Sequence, residues 1–314
     1  MKKYIPKIFC ISIPLLMLLI FSCKKDNSPV STTQNIDEVI NSTPDFSMYA
    51  YVIKKANLEI FTKGIGPYTF YIPSNSSFAA IGLNSPADID KLDPLYLVVL
   101  GTYHFQGTKR TFYEIPEGPN ASMTSQTNVV QYGTRNSKTD KAYINGVEVL
   151  DKGTETSNGM YFKMADIIQP PFFSSAITQM QSSSSNNYSL MLQAITKTAA
   201  TTSFTTTPAT VFAIPNSVML ANGYDSTTIA NISGAALTAL NNTLRYHVIP
   251  QRIFKSDFRT GNQVTRFPSN SVTIEGVVGN FTIKGKSNPT GVPVGNGIAT
   301  GSGVFYTISQ MLKP

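Results

Sequence analysis

The chain alternates between two kinds of hydrophobic period, and it does so twice. Behind Thr43-Pro44-Asp45, where a capping residue followed by proline opens a helix, Phe46, Tyr49, Ala50, Ile53 and Ala56 recur at helical spacing. Residues 69–72 form a short apolar run, as expected of a strand buried on both faces, and Pro73 ends it. Asn75 is the expected cap of a helix over residues 76–81, with Gly82 as its stop. Ser85-Pro86 and Asp93-Pro94 open two further helices, and the apolar run 95–100 in the second predicts burial. After Tyr103-His104 the period shortens to that of strands: 111–113, 129–132, 142–144 and 160–162, separated by Gly, Asn and Pro turns. Asn145-Gly146 has the composition of a two-residue hairpin turn. Helices first and strands afterwards point to an α+β domain.

The same order returns further along. Tyr246-His247 lies 143 residues after Tyr103-His104, and the two pairs contain the only histidines. An acidic residue and then glycine follow each pair, as Glu114 to Gly118 and Asp257 to Gly261. The run from Pro67 to Asn75 matches Pro208 to Asn216, Gly159 to Phe162 matches Gly303 to Tyr306, and Ile167 to Pro170 matches Met311 to Pro314. Ordered matches at near-constant spacing identify a tandem repeat. By this alignment Ile177, Met180 and Tyr188 stand for Ile36, Val39 and Phe46. The Ser/Asn-rich segment 181–187 then replaces a loop inside the second copy, and the junction is Pro170-Pro171. Phe172-Phe173 beside it is expected at the domain interface.

These residues resemble the fasciclin family. The run from Thr69 to Phe78 fits its opening signature, the Tyr-His steps its second, and Asn158-Gly159 through Asp166 to Ile168 its closing one. The second copy has Ser302-Gly303 and Gln310 in place of Asn158-Gly159 and Asp166. The resemblance covers residues 34–314. It implies two domains, 34–170 and 171–314, each a helical layer on a wedge of β-sheet. It also implies a role in cell adhesion, with the region of Tyr103, His104, Tyr246 and His247 as adhesion motif or structural element. The fuller closing signature, with Asn158, Gly159 and Asp166, makes the first copy the expected partner-binding domain.

The N-terminus reads as a processing signal. Lys2, Lys3 and Lys7 precede an apolar run over residues 8–21, short for a bilayer span. It ends in Leu19-Ile20-Phe21-Ser22-Cys23, which resembles the lipobox of bacterial lipoproteins. That resemblance implies a signal peptide over residues 1–22, acylation of Cys23, a lipidated tether over 23–33 and the lipid bilayer as partner. Lys24 stands where inner-membrane lipoproteins of enteric bacteria carry Asp, and the Cys-Lys-Lys-Asp string resembles a surface-export signal of one Gram-negative phylum, which implies the outer membrane and surface exposure.

Composition narrows the chemistry. Of the 314 residues only 14% are charged, against about 25% in a typical soluble protein. Removal of residues 1–22 takes three lysines and lowers the formal charge from +7 to +4, with basic residues scattered singly, so no nucleic-acid partner is expected. Cys10 leaves with the signal and Cys23 is lipidated, so no thiol remains for a disulfide. His104 and His247 are the only plausible general bases, and structural roles in hydrogen bonds to backbone are expected of both. Asp88, Asp90 and Asp93 form an acidic cluster that helix capping by Asp93 explains more simply than a calcium loop does. Gly295 to Gly301 imitates a dinucleotide loop but precedes a strand. The expectation is a non-catalytic envelope lipoprotein without cofactor or metal. It would bind an extracellular protein or glycan in adhesion, or alternatively serve as a polysaccharide-capture accessory protein at the outer membrane. Acyl chains supply nearly all membrane affinity in such an anchor. Cys23→Ser is therefore expected to move the protein from the membrane pellet to the supernatant; retention after a high-salt wash would exclude the anchor.

Overall fold

The computed structural model describes residues 33–126, 128–182, 187–277, 280–295 and 297–314. Residues 1–32, with the signal, Cys23 and most of the tether, lie outside the described residues, as do 183–186 of the Ser/Asn-rich segment and Asn296. No helix among the described residues is long and apolar enough to cross a membrane.

The first copy runs α1 (Ile36–Ser42), α2 (Ser47–Lys55), α3 (Glu59–Thr62), β1 (Tyr68–Pro73), α4 (Asn75–Ala80), α5 (Pro86–Ile89), α6 (Pro94–Tyr103) and β2 (Phe105–Gln106). It continues with β3 (Gly118–Thr124), β4 (Val130–Asn136), β5 (Lys141–Ile144), β6 (Val147–Val149), β7 (Thr154–Thr156) and β8 (Gly159–Met164). The second copy repeats it element for element: α7 (Ala176–Gln181), α8 (Ser189–Lys197), α9 (Thr201–Thr205), β9 (Ala209–Ala213), α10 (Asn216–Ala221), α11 (Ser226–Asn231), α12 (Gly234–Tyr246) and β10 (Val248–Ile249). Then come β11 (Gly261–Val264), β12 (Ser271–Val277), β13 (Asn280–Lys284), β14 (Val292–Pro293), β15 (Ile298–Thr300) and β16 (Gly303–Thr307). Each copy is thus a helical layer on β-sheet, the α+β architecture expected.

Local chemistry explains the helix starts. Asn35 and Glu38 form a reciprocal capping box at α1. Asp93 Oδ1 accepts from the N–H groups of Leu95 and Tyr96, with Pro94 at the first helical position. Asp88 plays the capping part at α5, and Asp90 pairs with Lys55 and Tyr51. The three aspartates therefore serve separate local partners. Three expectations need correction. Ser74, not Asn75, caps α4, because the Asn75 amide turns away to the start of α2, accepting from Met48 N–H and donating to the Pro44 carbonyl. Residues 112–114 form a 3₁₀ turn rather than a strand, since Glu114 accepts from the N–H and hydroxyl of Thr111 and closes the turn locally. Leu95 is 72% exposed although its run is apolar, because within residues 95–100 the helix turns only Leu97 and Leu100 fully inward.

Each copy has a parallel pair at its heart. In the first, β1 lies parallel to β8; in the second, β9 lies parallel to β16. The first copy joins its strands in one sheet, ordered β2-β1-β8-β6-β5-β4-β3 with β7 beside β8. The second divides them into β10-β9-β16-β15 and β11-β12-β13-β14. The Val149–Met164 pairing of β6 with β8 closes the first sheet, and the second copy has no counterpart to it among the described residues. Apolar cores lie on both sides of the parallel pair. Phe70, Ile72, Phe78 and Leu100 pack on the helical side, and Tyr71, Phe112, Ile144 and Phe162 on the other. Phe204, Val211, Met219 and Leu244 repeat the first group; Phe212, Phe258, Ile283 and Tyr306 repeat the second. Fully burying one such side chain contributes about 1.5–3 kcal/mol.

Gly159 and Gly303 are dictated by the parallel pair. The N–H of Tyr68 donates to the Asn158 carbonyl and that of Ala209 to the Ser302 carbonyl, bringing the strands together at these glycines. A Cβ on Gly159 would lie 2.0 Å from the Tyr68 carbonyl oxygen, and one on Gly303 1.6 Å from that of Ala209. Gly159→Ala and Gly303→Ala are each expected to cost about 2–4 kcal/mol by forcing backbone apart. Chemical denaturation checks this, and a loss under about 0.5 kcal/mol, the range of an ordinary surface change, would contradict it.

Candidate functional site

The two histidines occupy equivalent, sealed positions. His104 follows α6 and His247 follows α12, and both are at most 1% exposed. His104 Nδ1 lies 2.8 Å from the Leu100 carbonyl oxygen, and its Nε2 accepts from the N–H of Ile168 at 3.0 Å. His247 repeats this with the Thr243 carbonyl at 2.7 Å and the N–H of Leu312 at 2.9 Å. A carbonyl can only accept and an amide N–H only donate, so both rings are neutral with the proton on Nδ1. Burial, opposed by the hydrogen bond to the helix carbonyl, lowers each pKa to about 4. The main-chain carbonyls of His104 and His247 also accept from the N–H groups of Tyr71 and Phe212. Each histidine thus ties a helix end, the first strand of the parallel pair and the closing segment together.

The preceding tyrosines hold the sheet side. Tyr103 donates to the Val130 carbonyl at 2.8 Å and accepts from Asn145 Nδ2 at 2.7 Å. Tyr246 donates to the Ser271 carbonyl at 2.6 Å and accepts from the N–H of Lys286 at 3.0 Å. Asn158 is 5% exposed. Its Oδ1 accepts from the N–H of Ile36, and its Nδ2 donates to the carbonyls of Thr62 and Gly64. It fastens the first helix and the loop before β1, and its backbone is not left-handed. Asp166 stands apart from these: half-buried, it accepts from the N–H of Ile167 and lines a cleft. The seven residues singled out in the sequence therefore do not converge on one site. Five side chains and Gly159 brace the interior, and Asp166 alone reaches a concave surface.

That surface is a cleft of about 660 Å³ between the two copies. Its walls include Ile81, the 145–148 hairpin and Asp166 from the first copy, and Phe254, Lys255 and Ile298 from the second. Asn145 and Gly146, with φ of 48° and 81°, make the two-residue turn between β5 and β6 that their composition predicts. A Cβ on Gly146 would meet Phe254 Cβ at 2.8 Å, so the hairpin tip sits directly against the second copy. Nearby, Thr134 donates to Asp257 Oδ1 at 2.9 Å, and Asp257 Oδ2 accepts from the N–H of Phe254 at 3.3 Å. Burial raises the Asp257 pKa. Arg252 lies 4.2 Å from the ring centroid of Tyr132 while donating to the carbonyls of Thr300, Gly301 and Gly303. Phe172 stacks on Tyr96 at 4.7 Å, placing it at the interface as expected. Sequence reading missed Thr134, Arg252 and Asp257. The one available signal was the repeat itself: Asp257 occupies the place of the exposed cap Glu114, an acid in a fold position that burial makes costly without a partner.

The residues singled out in the sequence act here chiefly as internal braces. Among the described residues no three His, Cys, Asp or Glu side chains gather as metal ligands. A folded-state histidine pKa below the unfolded 6.5 means that the unfolded chain binds more protons. Stability is then full above pH 6.5 and is lost as pH falls towards 4, by about 3 kcal/mol per histidine. His104→Ala or His247→Ala is expected to cost about 3 kcal/mol at neutral pH, since two buried backbone groups lose their partner. Either change should also remove its share of the acid sensitivity. Urea unfolding at neutral and acid pH tests this; a variant that keeps the full pH dependence would refute it.

A family model described as the fasciclin domain matches residues 44–170 and again 186–314. "Protein sll1483" of Synechocystis sp. is 27% identical over 146 residues, covering 45% of this chain and 76% of that protein. A solved domain pair from the insect cell adhesion molecule fasciclin I covers 86% of this chain and 97% of its own, at 14% identity and a TM-score of 0.40. With its two matched segments spanning most of its length, the chain belongs to the fasciclin domain family, in two tandem copies.

Proposed function

We propose that this protein is an acylated lipoprotein of the cell envelope whose two fasciclin domains act in adhesion, binding an extracellular partner without catalysis. The observation that carries the reading is the use of the only two histidines. Both ring nitrogens of each serve backbone groups in the interior, which removes them from proton transfer to any substrate. Shape and surface are left as the chemistry on offer. The Lys-rich start, the apolar run and the Leu19–Cys23 string support the anchor and an outer-membrane location. The cleft between the domains supplies a concave surface in which Ile81 and Ile298 are 40% and 37% exposed beside the polar Asn145 and Lys255. Mixed apolar and polar lining of this kind suits a partner that inserts a side chain or sugar ring.

Cells carrying the anchored chain are expected to attach to matrix-coated surfaces more than cells lacking it. Ile81→Asp with Ile298→Asp should reduce attachment at least about tenfold if the cleft holds a central contact, while melting temperature stays unchanged. Attachment counts and thermal unfolding of the same variants decide it. Undiminished attachment would refute the cleft, and equal attachment of cells lacking the chain would refute adhesion.

A further inference from the structure

The two domains differ most in charge. Residues 34–170 carry 11 Lys and Arg against 14 Asp and Glu, whereas residues 171–314 carry nine against three. All seven ion pairs among the described residues lie in the first domain. In the second, Asp225 caps α11 and Asp257 is buried against Thr134, so the cations there face almost no free carboxylate.

Several of these cations converge. Arg245, in the last turn of α12, and Arg266, just after β11, line an open depression of about 520 Å³. Thr202, Ser203, Thr206 and Thr207 also line it, and no acidic residue does. Arg266 Nη2 donates to the carbonyls of Thr206 and Pro208 at 2.8 and 3.0 Å, which fixes its guanidinium in place, and its Nε is buried without a partner. The Arg245 side chain makes no hydrogen bond or ion pair among the described residues. A second depression, of about 420 Å³, contains Lys284 and Lys286 with Asn262, Ser271, Thr273 and one acid, Glu275. The 265–270 turn separates the two: Arg266 borders one side, Ser269 and Asn270 the other, and the N–H of Thr265 closes the turn on the Asn270 carbonyl. Tyr246 accepts from the N–H of Lys286, so the residue beside the buried histidine also sets this lysine. The first domain has neutral residues at the equivalent places. Thr102 precedes Tyr103 as Arg245 precedes Tyr246. Gln126 bonds Phe105 as Arg266 bonds Val248.

We propose that this face of the second domain binds an acidic polysaccharide, a chain of hydroxylated rings bearing carboxylate or sulfate groups. Arg245 and Arg266 take one acidic group, and Lys284 and Lys286 a second across the turn. Guanidinium forks match carboxylate and sulfate geometry, and lysine supplies a point charge. The surrounding hydroxyls and amides suit sugar hydroxyls. Neither depression is lined by an aromatic ring on which a nucleic-acid base could stack, or by Leu, Ile, Val or Met that could enter a bilayer. The inference goes beyond the adhesive reading, since this face is separate from the interdomain cleft, and rests on that reading for the partner being extracellular.

The test uses the full chain in detergent, passed over immobilised heparin and polygalacturonate, with neutral dextran as control. Retention on both acidic polymers but not on dextran is expected, with elution by salt. Arg245→Ser should weaken binding about tenfold, as should Lys284→Ser with Lys286→Ser. Lys54→Ser with Lys138→Ser in the first domain should change nothing. Arg266→Ser also removes backbone bonds, so the Arg245 and lysine variants decide the matter even if that protein unfolds. Undiminished retention of those variants would overturn the proposal. So would equal displacement by duplex DNA, or tighter binding to phosphatidylglycerol vesicles than to the polymers. A chain that attaches cells to matrix but ignores acidic polymers overturns this inference alone. One that binds the polymers yet gives no attachment overturns the adhesive reading alone.

Discussion

Everything in this chain hangs on a neutral imidazole bridging a helix end to the segment that closes the domain. A helix C-terminus leaves carbonyls without partners, and a strand leaving a sheet leaves an N–H without one. Buried away from water, both groups must be satisfied. Histidine in its Nδ1–H form presents one donor and one acceptor on opposite sides of a small rigid ring, and so serves both. His104 reaches a residue 64 positions further along the chain, and His247 one 65 positions further. With the closing segment held, the parallel pair β1–β8 or β9–β16 is held as well, and the two apolar cores of each domain form against a fixed wall. The same requirement keeps the rings uncharged and so ties the stability of both domains to pH.

The positions that the repeat keeps identical serve the interior, and several of those where the copies part serve the outside. The histidines, the tyrosines before them and the glycines of the parallel pair do the same work twice. Thr69 and Thr210 likewise each accept a backbone N–H, from Arg110 and Ile253, while donating to the carbonyls of Thr108 and Gln251. By contrast, Glu114 caps its own exposed turn, while Asp257 in the same place reaches across to Thr134 of the other domain. Asn145-Gly146 turns a hairpin tip onto Phe254, and Arg252 reaches Tyr132. The interface is built from such departures, and so is the basic face of the second domain. A scaffold made twice provides stability; its divergence provides specificity.

Much of this was legible in the residues alone. Hydrophobic period, cap-plus-proline starts at Ser85-Pro86 and Asp93-Pro94, the Asn145-Gly146 turn and the repeat itself are local or one-dimensional signals, and they determined element order, fold class and family. The structural role of the histidines was also expected, because each ring sits between an apolar helix and a strand. Tertiary structure decided what covers each face. Leu95 sits in an apolar run yet faces solvent, because a helix turns most of its circumference away from any one neighbour. Asn75 leaves its own helix for α2, and residues 112–114 close on Glu114 instead of pairing, since competing hydrogen bonds at short range are decided by which partner the fold brings closer. Asp257 and Thr134 are 123 residues apart, and no period, motif or propensity links them. A sequence pattern specifies which side of an element is buried; only the packed chain specifies against what, and that is where the interface, the cleft and the basic face arise.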